Sequence, residues 1–258
     1  MAKLVNVLRI CLLLCIIFVS LKFSVLAQEL EVSITDNMVF IQGGTFKRGC
    51  NRFGPQHGAP EQQVHLDSYW IDKYEVTNKN FEKIIPDHLL RRSKFSDCDE
   101  CPVSKVSWYE AADYCHLIGK SLPSEAQWEK AASSGEGCQF PWGEGFNLEN
   151  PLARGGLKLN EKASKVGSFP SNKNGLYDVA GNVWEWVGDW FSIRFYHTDI
   201  LHNPRGPVRG LMKVRRGGAW SDSVNAMATG YRDWSYPLSR GFNDIGFRCA
   251  INITTQGK

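Results

Sequence analysis

The stretch Gly175-Leu-Tyr-Asp-Val-Ala-Gly-Asn-Val-Trp-Glu-Trp186 packs two glycines, two acids and two tryptophans into one short run, and the fold turns on how it is read. Its Gly and Asn residues interrupt regular structure instead of propagating it. It lies inside a longer segment, Gly135 to Pro207, that reads mostly as loop. So long an irregular stretch in a compact domain needs metal ions, disulfides or a dense aromatic cluster to hold it. Trp142, Trp184, Trp186 and Trp190, four of the nine tryptophans, lie in or beside it and supply an aromatic cluster.

Outward from this segment, helical periodicity is sparse. Trp108, Ala111, Ala112, Cys115 and Ile118 fall on one apolar face and predict a helix over 108–118. Ser124 followed by Gln127 has the capping-box form and predicts a second helix through Trp128 to Ala132. A shorter third helix is expected after Thr77, through Phe81 and Ile84. Short apolar runs bounded by turn residues predict strands at Met38 to Gln42, Val64 to Ile71, Lys213 to Arg216 and Gly246 to Ile251.

At the N-terminus, Lys3 and Arg9 precede an apolar run from Ile10 to Leu21, and Val25 and Ala27 occupy the small-residue positions before a cut. Residues 1–27 therefore read as a signal peptide, with residues 28–258 as a single mature domain. Lys22 keeps the apolar run short of the roughly 20 residues that span a bilayer, so no membrane span is expected after cleavage. The leader holds three of the 30 Lys+Arg and none of the 27 Asp+Glu, so the mature chain is formally neutral. Nucleic-acid binding thus has no electrostatic support. Export implies a periplasm, a secretory lumen or the outside of the cell; Asn252-Ile-Thr254 is a glycosylation acceptor pattern where that pathway exists.

Six of the eight cysteines remain in the mature chain: Cys50, Cys98, Cys101, Cys115, Cys138 and Cys249. In an oxidising compartment an even count predicts a disulfide framework whose connectivity spacing does not resolve. Cys98-x-x-Cys101 lacks both a second such pair to complete a zinc site and the strand-to-helix setting of a redox pair. Structural bridges involving Cys50 and Cys138 are expected instead. The six histidines form no His-x-His or His-Glu-x-x-His pattern, so a zinc-hydrolase reading has no support.

Eight strings carry a family resemblance. They are Phe40-Ile-Gln-Gly-Gly-Thr-Phe46, Tyr69-Trp-Ile-Asp-Lys-Tyr-Glu-Val-Thr77, Pro102-Val-Ser-Lys-Val-Ser-Trp108, Gly119-Lys-Ser-Leu-Pro-Ser-Glu-Ala-Gln-Trp-Glu129, Pro141-Trp-Gly143, Gly175 to Trp186, Arg216-Gly-Gly-Ala-Trp220 and Gly246-Phe-Arg-Cys-Ala250. In order and spacing they resemble the formylglycine-generating enzyme (sulfatase-modifying factor) family. The resemblance implies an α+β, C-type-lectin-like fold of low regular-structure content in one domain. It also implies a Cys115–Cys249 disulfide and a calcium site built from the side chains of Asp178 and Glu185 and the carbonyls of Gly181 and Val183. Calcium takes six to eight oxygen ligands, and a glycine-bearing turn lets carboxylates and carbonyls converge. The bland alternative is that Asp178 caps a turn and Glu185 forms a salt bridge. A second calcium site of the family would fall near residues 147–159, but few acids are present there and it is not carried over.

In the family's namesake, two cysteines shortly after a Gly-Gly-Ser-Tyr string bind copper(I) and activate oxygen. Counting from Gly217-Gly218, the resemblance puts Asp222 and Met227 at those positions. Neither forms a thiolate, so the softness that selects copper(I) is largely lost. Copper-dependent formylglycine generation is not expected. Two readings follow. One is a calcium-stabilised binding, assembly or accessory module whose groove residues are Trp220, Asn225, Tyr231, Arg232, Trp234 and Tyr236, taking an unspecified peptide, protein or small molecule. The other is an exported oxidoreductase acting through a different centre near Asp222, with its redox metal, if any, undefined; perturbed carboxylates in clefts are common functional groups.

Overall fold

The computed structural model describes residues 35–133, 138–143 and 161–253. The leader, the segment near 147–159 and Thr254 of the acceptor pattern lie outside the described residues. Residues 37–258 form one unit, and the chain divides between Asp36 and Asn37.

Helix α1 (Asn78–Glu82) is capped by Thr77, whose side chain accepts from Asn80 N–H at 3.2 Å. Helix α2 (Trp108–Leu117) begins at a capping box between Ser107 and Glu110 and buries Ala111, Tyr114 and Cys115. Helix α3 (Glu125–Ser133) starts at Ser124 as predicted, with Ser124 Oγ accepting from Gln127 N–H and Gln127 Oε1 accepting from Ser124 N–H. Every residue of α3 is buried. A helix enclosed on all sides needs partners for its charged side chains as well as its apolar ones.

Three sheets surround α3. Strands β1 (Met38–Ile41), β4 (Tyr69–Asp72) and β9 (Ala250–Asn252) form one, in the order β1-β4-β9. Strands β2 (Gly44–Arg48) and β3 (Gln62–Leu66) form a two-stranded ladder. The third, ordered β7-β6-β5-β8, comprises β5 (Trp184–Trp190), β6 (Lys213–Arg216), β7 (Arg232–Ser235) and β8 (Ile245–Phe247), with β5 and β8 parallel.

Two predicted strands are each broken in two. The run from Val64 to Ile71 divides at Asp67-Ser68, because β3 pairs with β2 while β4 pairs with β1 and β9. The run from Gly246 to Ile251 divides at Arg248-Cys249, where both side chains turn inward, one to an ion pair and one to a disulfide. Strand β5 falls inside the predicted loop. It is central in its sheet and largely buried, so it lacks the polar alternation that marks a half-exposed strand.

All six cysteines of the described residues are paired, as Cys50–Cys138, Cys98–Cys101 and Cys115–Cys249. The Cys115–Cys249 bridge ties α2 to the segment before β9, as the resemblance implied. Cys50 and Cys138 bridge each other, and Cys98 and Cys101 close on themselves. Among the described residues, no helix is long and apolar enough to cross a membrane.

Candidate functional site: two buried ionic clusters and an aromatic strip

Two buried ionic clusters flank α3, and they differ in charge balance. In the first, Arg216 reaches Glu129 at 2.6 Å and Glu125 at 3.3 Å, while Arg232 clasps Glu125 through its Nε at 2.7 Å and Nη2 at 2.8 Å. Arg48 and Asp189 complete it. Three guanidinium groups thus face three carboxylates. Asp189 Oδ2 accepts the Glu125 N–H at 2.7 Å at the start of α3. Burial, with Glu125 nearby, pushes Asp189 up to about 7. Because Arg232 is 1% exposed and held by Glu125, its guanidinium is spent inside the fold and does not face a groove.

The second cluster is unbalanced. Glu75, Asp178 and Glu185 are all buried around one guanidinium, that of Arg248. Both Glu185 oxygens accept from Arg248, each at 2.7 Å, and Oε2 also accepts the Trp128 indole N–H at 2.7 Å. Glu75 accepts from Asn182 Nδ2 at 2.6 Å and from Val183 N–H at 3.3 Å. Burial, reinforced by Asp178 and Glu185, holds its carboxyl well above the usual range.

Asp178 sits at φ 55° in a left-handed turn that Gly181 continues at φ 86°. Its Oδ2 accepts from Gly167 N–H and the Phe169 N–H also favours the charged carboxylate, whereas Oδ1 is buried without a hydrogen bond of normal geometry. Burial pushes Asp178 up to about 6. An excess of buried negative charge beside an orphaned carboxylate oxygen fits a hard cation at Asp178. Three carboxylates do not converge there: among the described residues, Glu75, Asp178 and Glu185 do not bring one oxygen each to within 4.8 Å of one another. A cation at this turn would therefore need carbonyl oxygens, those of Gly181 and Val183 being the ones the resemblance implies.

The residues around Asp222 form a different arrangement. Asp222 Oδ2 accepts from the Trp184 indole at 2.7 Å and from Ala219 N–H at 3.1 Å. The carboxylate thus closes its own loop and anchors it to β5. Burial raises its pKa. The loop leaves β6 through Gly217 and Gly218, at φ 98° and 67°; a Cβ on Gly218 would meet the Ala226 backbone at 3.0 Å. Only glycine suits that turn. Met227 is fully buried with Phe140, Ala180 and Ala228.

Of the six candidate groove residues, Tyr231 and Trp234 come together. The His57 ring stacks on Tyr231 at 4.7 Å and on Trp234 at 5.6 Å; Phe53 meets Tyr231 edge-on at 5.1 Å, and Phe191 stacks on Trp234 at 4.1 Å. These five rings are half-buried and form a continuous aromatic strip. His57 Nδ1 lies 2.9 Å from Arg232 O, which fixes the ring between its neighbours. Trp220 pairs instead with Phe95 at 5.0 Å. Asn225 is exposed on a short 3-10 turn, and Tyr236 is exposed beyond β7. Sequence reading missed His57, Phe53 and Phe191, because only the fold brings these distant positions to one place.

Mixed sheets and loops around two principal helices define a C-type-lectin-like protein. Residues 23–253 match the sulfatase-modifying factor enzyme 1-like domain, and the chain belongs to that family. It is 33% identical over 241 residues to serine/threonine-protein kinase Pkn1 of Chlamydia trachomatis, covering 84% of this chain and 38% of that protein. The chain thus spans well under half the length of this relative. It is 28% identical over 280 residues to the formylglycine-generating enzyme of Mus musculus, covering 83% of this chain and 75% of the enzyme. Among solved structures, Treponema denticola variable protein 1 superposes with TM-score 0.70 at 24% identity, covering 83% of this chain and 94% of that one. PvdO from Pseudomonas aeruginosa gives TM-score 0.69 at 23% identity, covering 84% and 94%. At these identities the two structures establish the fold.

Proposed function

We propose that this protein is an exported, calcium-stabilised binding or assembly module of the sulfatase-modifying factor family, not a formylglycine generator. The observation that carries the reading is that all six cysteines of the described residues are tied in disulfides. The positions that the resemblance aligns with the copper pair hold a carboxylate already committed to Trp184 and a fully enclosed thioether. Copper(I) selects soft thiolates, and neither side chain replaces one. Three disulfides also suit an oxidising compartment.

Calcium is assigned to the Asp178 turn, held by Asp178 and the Gly181 and Val183 carbonyls; Glu185, expected as a ligand, instead has both oxygens taken by Arg248 and Trp128 and forms the salt bridge. When bound, it supplies positive charge to a buried cluster that has too little of its own. The aromatic strip of Phe53, His57, Tyr231, Trp234 and Phe191 offers flat apolar surface with polar edges, suited to a peptide, protein or small-molecule ligand. An oxidoreductase centred near Asp222 has less support, since its Oδ2 already serves two donors.

The test is elemental analysis of protein exported into an oxidising compartment and purified without chelators, paired with a thiol-oxidation assay on a cysteine-containing peptide with copper(I) and oxygen. One calcium per chain that is absent from Asp178→Ala, and no aldehyde formed in the peptide, support the reading. Stoichiometric copper or iron, or catalytic aldehyde formation, would sink it.

A further inference from the structure

Among the described residues, one group of potential metal ligands converges outside both buried clusters. The ligand atoms of His65, Asp67 and His202 all lie within 4.8 Å of one another on an exposed surface. His202 Nε2 and Asp67 Oδ1 are 3.4 Å apart. Ligand atoms at zinc bond lengths in a tetrahedron stand roughly 3.3–3.5 Å apart, so this edge already has the required span. The His65 and His202 rings stack at 5.2 Å between centroids and 10° between planes, so one of these exposed rings must tilt to bring both in-plane nitrogen lone pairs onto one ion.

The backbone fixes the pair. His65 N–H donates to Leu201 O at 2.7 Å, and Asn203 N–H donates to His65 O at 2.9 Å, forming a parallel bridge between β3 and the segment at His202. Alternation along β3 leaves Val64 and Leu66 in the core and His65 outside. Asp67 is held by Asn203 on two sides: its N–H donates to Asn203 Oδ1 at 2.9 Å, and its Oδ2 accepts from Asn203 Nδ2 at 2.7 Å. That leaves Oδ1 turned toward His202. Asn203 adopts φ 44°, a left-handed conformation that asparagine tolerates. His65 Nδ1 lies 3.4 Å from Thr45 Oγ1, the residue opposite it on β2. Ligand orientation by such outer partners is what separates metal sites from chance neighbours.

We propose that His65, Asp67 and His202 form a surface site for a borderline divalent transition metal, of which Zn2+ is the natural occupant, with a fourth position open to water. Two neutral imidazoles and one carboxylate favour zinc over calcium, which prefers oxygen donors alone. The site is separate from the Asp178 turn and does not depend on its occupancy. Metal on His202 Nε2 places that ring's remaining proton on Nδ1, and a small rotation of the exposed ring relieves the 3.3 Å contact with Asn203 Nδ2.

The experiment is a calorimetric titration of Zn2+ into calcium-loaded protein carrying no histidine tag, with His65→Ala, Asp67→Ala and Asn203→Ala beside the wild type. One equivalent should bind the wild type and raise its melting temperature. The two ligand variants should bind at least about tenfold more weakly, and Asn203→Ala, which unpins Asp67, frees His202 Nδ1 and puts alanine at φ 44°, should fall by roughly tenfold or more. Metal-free melting temperatures of His65→Ala and Asp67→Ala should match the wild type, since both side chains are exposed. No zinc uptake by the wild type, or equal uptake by His65→Ala and Asp67→Ala, would overturn the assignment.

Discussion

Glu185 on β5 and Arg248 just after β8 meet side-on, the two carboxylate oxygens accepting from Arg248 Nε and Nη2 at 2.7 Å each. Arg248 also donates to the carbonyls of Asp72, Lys73 and Tyr177, so one side chain ties several loops to the sheet. Removing one partner of a buried ion pair leaves the other uncompensated, at a cost of about 3–5 kcal/mol. Arg248→Met should therefore destabilise the domain by that amount in a urea titration with chelator present. Saturating calcium should recover part of the loss, because a bound cation would restore positive charge to a cluster left with three carboxylates.

Lys213 offers a pH signature. Its ammonium lies 3.7 Å from the Trp108 ring centre and 4.0 Å from that of Trp190, and donates to Gly188 O at 2.7 Å. Burial pushes it down to about 8, partly offset by Asp189. A lysine depressed in the folded state contributes stability above its ordinary value that is lost as pH falls to about 8. Asp189, raised to about 7, contributes stability at low pH that is lost as pH climbs to that value. The two together place a shallow minimum between about 7 and 8. Denaturant midpoints should rise between pH 8 and 10 in the wild type relative to Lys213→Met, which lacks the titrating group, by the equivalent of about 1–2 kcal/mol once solvent screening and the two ring contacts that favour the ammonium are allowed for.

The helices and their caps were legible in the sequence because their determinants are local: Ser124 and Gln127 satisfy each other within one turn. The Asp178 turn was legible for the same reason, its glycine and acids lying close along the chain. Glu75 was not, since its partner Asn182 lies 107 residues away. His57 belongs to the aromatic strip only because Tyr231 and Trp234 are folded against it. Strand β5 was hidden by burial on both faces, which erases the alternation by which a strand is recognised.

The disulfides should differ in what they contribute. Cys115 and Cys249 are separated by 134 residues, Cys98 and Cys101 by three. Loop-closure entropy gives the long bridge about 5 kcal/mol and the short one about 2 kcal/mol. The double substitution Cys115→Ala/Cys249→Ala should abolish cooperative unfolding or lower its midpoint severely. Cys98→Ser/Cys101→Ser should keep a cooperative transition at a modestly lower midpoint, with near-ultraviolet circular dichroism confirming native packing in the latter. Equal losses would show that the short bridge holds more than its own loop.

Asp222 separates a loop anchor from a reactive acid. Its Oδ2 accepts from Trp184 and from Ala219 N–H, and an amide oxygen accepts both equally in kind. Asp222→Asn should therefore retain the loop, the melting temperature to within a few degrees, and binding along the strip. Asp222→Ala leaves the buried indole N–H without its acceptor and should cost about 1–3 kcal/mol. Tryptophan fluorescence would follow Trp184 in both variants, and a urea titration would give the energies. A drop in activity or ligand binding in Asp222→Asn with melting temperature and fluorescence unchanged would point to the carboxylate's charge or acidity, and would revive the oxidoreductase reading. Parallel behaviour of Asp222→Asn and the wild type, with loss only in Asp222→Ala, leaves the residue as the strut that holds the loop after Gly217-Gly218 against β5.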